Sequence, residues 1–95
     1  MGCANCAVVC VPSALSAEER KRSALLRELL AETRLGATET SDGYAFAQKP
    51  DATVFQAAAE WISLERRCCP FFSFELRWAA GDESIQLRLS GPGTA

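Results

Sequence analysis

Apolar side chains recur along this chain in two registers, one with the period of a helix and one alternating, and together they divide it into four segments behind a cysteine-bearing start. Leu25, Leu26, Leu29 and Leu30 fall at helical spacing, while Arg20, Lys21, Arg27 and Glu28 take other faces. Ser16-Ala17-Glu18-Glu19 sets a hydroxyl three residues ahead of a carboxylate that can reach back to it, and Gly36 offers a left-handed stop, so a helix is predicted from about Ser16 to Arg34. Short strands are predicted at Ala37 to Thr40 and Tyr44 to Gln48, with Asp42-Gly43 as a two-residue hairpin turn and Lys49-Pro50 closing the second strand. A second helix fits Asp51 to Cys68. Asp51 is its cap, and Val54, Phe55, Ala58, Trp61 and Ile62 form its apolar stripe. Pro70 ends it, because a residue preceding proline is pushed out of the helical region; Cys68 then falls in the last turn and Cys69 at the exit. Beyond it Phe72, Phe74, Leu76 and Trp78 alternate with polar residues, and after Gly81-Asp82 so do Ile85, Leu87 and Leu89, which predicts a second hairpin.

The order helix, hairpin, helix, hairpin predicts an α+β fold, a two-layer sandwich of two helices packed on a four-stranded, mainly antiparallel sheet. A chain of 95 residues holds one such domain. Residues 1–14 form a cysteine-bearing N-terminal segment, 15–90 the core and 91–95 a frayed tail. With 48% apolar and 23% charged residues the composition is globular, and a net charge of −2 is far from the basic surface that gathers nucleic-acid phosphates. No apolar run approaches the ~20 residues of a membrane-spanning helix, so no membrane insertion is expected. Residues 1–12 carry no Lys or Arg and only the short run Ala7-Val8-Val9, unlike a secretory signal, so the chain reads as cytoplasmic, with its thiols reduced.

Sulfur changes the picture. There are five cysteines and no histidine: Cys3, Cys6 and Cys10 near the start, and the vicinal pair Cys68-Cys69 at the helix exit. An odd number cannot pair completely within one chain. Free cysteine often serves as a small buried hydrophobe. Adjacency, a helix exit and a second cysteine-rich segment argue instead for a chelating pair. Glu65, three and four residues before that pair and four after Trp61, puts a carboxylate on an otherwise apolar stripe, where it must be paired, protonated or bound. Its structural explanation is an ion pair with an arginine of the first helix: Arg20, Arg22 or Arg27.

Cys3-x-x-Cys6 has the spacing of zinc knuckles, soft-metal chaperones and dithiol redox sites. The extended Val8-Val9-Cys10-Val11-Pro12 that follows disfavours a thioredoxin-like motif, and Cys3-x-x-Cys6-x-x-x-Cys10 misses the usual iron–sulfur spacings. Idle thiols in a disordered N-terminus are the plain alternative. An all-sulfur donor set without imidazole selects soft ions: Hg(II) or Cu(I) ahead of Zn(II) and Cd(II), since two or three sulfurs suit low coordination numbers. If the N-terminal segment folds back over the helix exit, Cys10 completes a three-sulfur site with Cys68 and Cys69. Cys3 and Cys6 then form a mobile second site that captures an ion and hands it inward.

Gly43-Tyr44-Ala45-Phe46, Trp61-Ile62-Ser63-Leu64-Glu65-Arg66-Arg67-Cys68-Cys69-Pro70-Phe71 and Leu87-Arg88-Leu89-Ser90-Gly91 together resemble a family of small bacterial proteins with a Leu-Glu-Arg-x-Cys-Cys-Pro-Phe signature. The resemblance covers roughly Cys10 to Pro92. It implies a link to mercury-type heavy-metal resistance, and a cysteine shortly before the first helix, which Cys10 matches, in one group with Cys68 and Cys69. Cys3-x-x-Cys6 is not part of the pattern, and relatives continue into a short terminal helix.

The leading expectation is therefore a thiolate protein that sequesters or relays a soft metal, without chemistry on a substrate, exchanging ions with a thiol-bearing donor or acceptor protein. A second reading is enzymatic: two cysteines beside a carboxylate resemble in type the organomercurial lyases, with Glu65 as the acid that protonates the departing carbon. A third is an interaction module whose cysteines are packing residues or part of a homodimer contact, with Trp61, Trp78, Phe71 and Phe72 as a candidate aromatic patch.

Overall fold

A computed structural model of the chain describes residues 12–91. After a 3-10 turn at Pro12–Ala14, helix α1 covers Ala17–Glu32. The capping box forms as its sequence implies: Ser16 Oγ accepts from Glu19 N at 3.1 Å, and Glu19 Oε1 accepts from Ser16 N at 2.9 Å. Its other end differs from expectation. Gly36 is not the stop; the cap is Thr33, whose N–H and hydroxyl both donate to the Leu29 carbonyl, at 3.0 and 2.9 Å. Gln48 Nε2 then donates to the Leu30 carbonyl at 2.8 Å and to Thr33 Oγ1 at 3.1 Å. With the last carbonyls answered by side chains, no left-handed glycine is needed, and Arg34 passes straight into strand β1 (Arg34–Glu39).

Strand β2 covers Gly43–Gln48, helix α2 Ala52–Cys68, strand β3 Ser73–Arg77 and strand β4 Ile85–Ser90. The expected α+β fold is present, two helices and a four-stranded antiparallel sheet in helix-hairpin-helix-hairpin order. The sheet order β1-β2-β4-β3 inserts the last strand between the second and third. Gly43 pairs with Ser90 and Gln48 with Ile85 across β2 and β4, and Ser73 and Arg77 of β3 pair with Ser90 and Gln86. β4, the most buried strand, thus shares the centre of the sheet with β2. Ile85 and Leu87 meet Val54 and Ala58 of α2 and Leu30 of α1 in the main core, with Phe46, Phe55, Trp61, Ile62, Leu76 and Leu89 packed around it.

The first turn also differs. Gly43 is the first residue of β2, Thr40 N donates to its carbonyl at 2.8 Å, and among the described residues Gly81 alone has a positive φ, 87°. Glycine is required at position 43 for another reason: a Cβ there would run into the backbone carbonyl of Leu89 on the neighbouring strand. Of the apolar residues read as the α1 stripe, Leu26 and Leu30 are buried while Leu25 is 58% exposed. β1, an edge strand, is exposed throughout. Gly91, assigned to a frayed tail, donates its N–H to the Asp42 carbonyl at 2.7 Å, and residues 92–95 lie outside the described residues. No described helix is long and apolar enough to cross a membrane.

Candidate thiol site at the exit of helix α2

Asp51 starts α2 by accepting from the N–H groups of Thr53 and Val54, and the apolar stripe seats the helix on the sheet, so its last turn is delivered to a fixed point beside the start of β3. Cys68 is the last helical residue and Cys69 the cap, with φ −128° and ψ 73°; its N–H still donates to the Glu65 carbonyl at 2.6 Å. Proline at position 70 forces this departure from helical geometry. Phe72 N then donates to the Cys69 carbonyl at 3.2 Å and turns the chain toward β3.

The vicinal pair sits in its own small core. Leu15, Cys68 and Cys69 are buried together, with Leu64, Phe71 and Phe72 packed against them. The Phe71 and Phe72 rings stack edge-on at 4.7 Å, so these aromatics build packing rather than the exposed patch considered from sequence; Trp61 is half-buried against Phe74, and Trp78 alone of the four is exposed. Cys69 is 1% exposed and Cys68 9%, so neither sulfur is presented openly at the helix exit. The two differ in chemistry. Cys68 is a free thiol, whereas Cys69 is disulfide-bonded. The expectation of reduced thiols is thus met at position 68 and not at 69. The partner of Cys69 lies outside the described residues, as do Cys3, Cys6 and Cys10. Among the described residues no group of three or more Cys, Asp or Glu side chains is arranged to hold a metal ion.

Glu65 stands where its helical spacing puts it. Its Oε1 is 3.9 Å from Cys69 Sγ, a contact rather than a hydrogen bond while that sulfur is oxidised and carries no proton. Its other oxygen accepts from Ser23 Oγ at 3.2 Å and lies 3.9 Å from Arg27 Nη2. Of the three arginines considered as partners Arg27 is the one used, at a length and exposure that make the pair weak. Arg22 instead clasps Glu60 with two bonds of 2.7 and 2.8 Å, and Arg20 Nη1 donates to the Leu15 carbonyl at 2.9 Å. Ser23 was not singled out from sequence, although it lies three and seven residues before Leu26 and Leu30 and so interrupts the same buried stripe.

Charged contacts hold the entry of α1 to the exit of α2. Arg67 Nη1 pairs with Glu19 Oε2 at 2.7 Å, and its Nη2 donates to the Ala14 carbonyl at 3.0 Å. The Arg67 hydrogen bond, backed by the Ser16 N–H, holds the exposed Glu19 carboxyl below its ordinary value, and the Arg22 hydrogen bond does the same to Glu60. Residues 14 and 15 are thereby anchored over the vicinal pair. No family model, curated protein or solved structure matches this chain.

Proposed function

We propose that this protein binds a soft metal ion, Hg(II) or Cu(I) ahead of Zn(II) and Cd(II), through thiolates gathered at the exit of α2, for sequestration or relay in metal resistance. The supporting observation is the vicinal pair itself: Cys68, a free thiol, and Cys69 lie together in one small cluster at the exit of α2, with the Glu65 carboxylate 3.9 Å from the Cys69 sulfur. With no histidine in the chain, such a site is thiolate-rich and selects soft ions. Cys10, Cys68 and Cys69 are the proposed inner ligands, and Cys3 and Cys6 the proposed outer pair.

Reduced protein titrated with Hg(II) or Cu(I), with stoichiometry read by native mass spectrometry, tests this reading. The Cys68→Ser/Cys69→Ser variant is expected to lose one tightly held ion; unchanged stoichiometry and affinity would end the proposal.

Two other readings each have an observation in their favour. The contact between Glu65 and Cys69 supports an organomercurial-cleaving enzyme, for which release of the hydrocarbon by the reduced protein, lost in Glu65→Gln, is the required result. Burial of both cysteines supports an interaction domain with structural sulfurs, for which Cys68 stays unreactive toward thiol reagents until the protein is denatured.

A further inference from the structure

We infer that the outer edge of β1 is the seam of a homodimer: a second copy of this chain lays its own β1 antiparallel against it and joins the two sheets into one. The inference is independent of the soft-metal reading.

β1 is an edge of the sheet, and every residue of it from Arg34 to Glu39 is exposed. Thr40 N donates to the Gly43 carbonyl at 2.8 Å, and the register continues through Thr38↔Ala45 and Gly36↔Ala47, so residues 36, 38 and 40 turn their backbone groups toward β2 while Ala37 and Glu39 turn theirs outward. An outward row of amide and carbonyl groups is a template for another strand. Proline and lysine, which commonly blunt such an edge, are absent from β1, and its irregularity between Arg34 and Gly36 leaves Gly36 to Glu39 in regular register.

Charge selects the occupant. Arg34 lies over the Phe46 ring at 4.3 Å, and Ala37 and Glu39 pair with Phe46 and Tyr44, so Arg34, Ala37 and Glu39 share the face of the sheet that carries those two stacked rings. Neither Arg34 nor Glu39 has an ion-pair partner among the described residues. A two-fold axis at Ala37 sets that residue opposite Ala37 of the second copy, each donating to and accepting from the other, and sets Gly36 opposite Thr38. Glu39 then falls opposite Leu35 and beside Arg34 of the second copy, and the symmetry makes that contact twice. The strand is basic at its start and acidic at its end, which makes it complementary to itself in the antiparallel direction. Leu35 and Tyr44, large apolar side chains left exposed, lie at this seam and on the strand behind it. A seam of one short strand is a small interface, so the dimer is a reversible one that forms with rising concentration.

The test is sedimentation equilibrium of the full chain from about 5 to about 500 µM, the range in which small interfaces associate, with non-reducing gels to detect any cross-link between chains. Wild type is expected to pass from monomer to non-covalent dimer, with the Ala37 and Glu39 amides gaining protection from hydrogen exchange as the dimer forms. Glu39→Arg and Arg34→Glu each bring like charges together at the seam and are expected to associate at least about 10-fold more weakly, whereas an equimolar mixture of the two variants restores both opposite-charge contacts and is expected to dimerise about as tightly as wild type. Monomer at every concentration overturns the proposal. A dimer indifferent to both substitutions, or one held by a disulfide between chains, overturns β1 as the seam. Edge amides protected equally at all concentrations place another segment of the same chain on β1, which overturns the proposal as well.

Discussion

Breaking the Cys69 disulfide should cost this small domain a large part of its stability, and the amount can be worked from chain length. The bond closes a loop of about 60 to 67 residues, depending on which N-terminal cysteine is the partner, and in the chain-entropy account this removes about 14 cal/mol/K from the unfolded state, or about 4 kcal/mol at 25 °C. Because the dependence on loop length is logarithmic, the choice of partner changes the figure by only about 0.1 kcal/mol. A chain of 95 residues has a total stability on the order of 5–14 kcal/mol, so the cross-link is a major term. At a melting entropy of about 0.2 kcal/mol/K for this length, the same quantity is a shift of up to about 20 °C. Residual structure in the unfolded chain lowers it, which makes 10–20 °C the expected gap between oxidised and reduced protein in thermal melts followed by circular dichroism. Cys69→Ser should melt like the reduced protein whether or not reductant is present. Cys68→Ser, which removes a free thiol, should keep the gap. Coincident melts of oxidised and reduced wild type would refute the reasoning, since a loop of this length cannot be closed without an entropic signature.

The two glycines of the first hairpin should respond in opposite directions. Gly43→Ala drives a Cβ against the Leu89 carbonyl and is expected to destabilise by about 2–3 kcal/mol, whereas Gly36→Ala meets nothing and is expected to be neutral or stabilising by up to about 1 kcal/mol in denaturant titrations; a destabilised Gly36→Ala would restore the left-handed stop. Gln48, fully buried, donates to Leu30 and Thr33 while its Oε1 has no partner among the described residues. Gln48→Leu loses two bonds but removes that orphan acceptor, so about 1–2 kcal/mol is expected, and Gln48→Glu, which aims a charge at a carbonyl, should cost about 3 kcal/mol or more by the same assay. Glu19 and Glu60 are held below their ordinary value of 4.5 by Arg67 and Arg22. Their contribution is therefore complete above about pH 4.5 and lost as pH falls through the lower folded values. Both groups are exposed, so the loss should be small and shrink in high salt, and Glu19→Gln/Glu60→Gln should flatten the stability profile between pH 5 and 3, roughly the range in which carboxylates titrate.

Elements whose signal is local were legible in the residues. The Ser16-Glu19 box, the Asp51 cap, the α2 stripe, the Pro70 stop and the alternation of β3 and β4 all act within a few positions, and each formed where its spacing put it. Glu65 too was visible, as a carboxylate on an apolar stripe, and the structure brings it to Cys69. Ser23, its partner from α1, carried the same kind of signal more faintly.

What sequence alone could not decide was every choice between partners far apart in the chain. Whether α1 stops at a glycine or on a glutamine sixteen residues further on depends on where β2 comes to lie, and Gly43 is demanded by a carbonyl that only the insertion of β4 brings near. The same holds for sulfur. Spacing marks Cys68 and Cys69 as a pair, and three-dimensional placement separates them into a buried free thiol and a disulfide. Local steric and capping forces act over one turn of chain and are written in the order of residues; burial, close approach and sulfur–sulfur bonding depend on which surfaces meet, and that is settled only when the whole sheet and both helices are assembled.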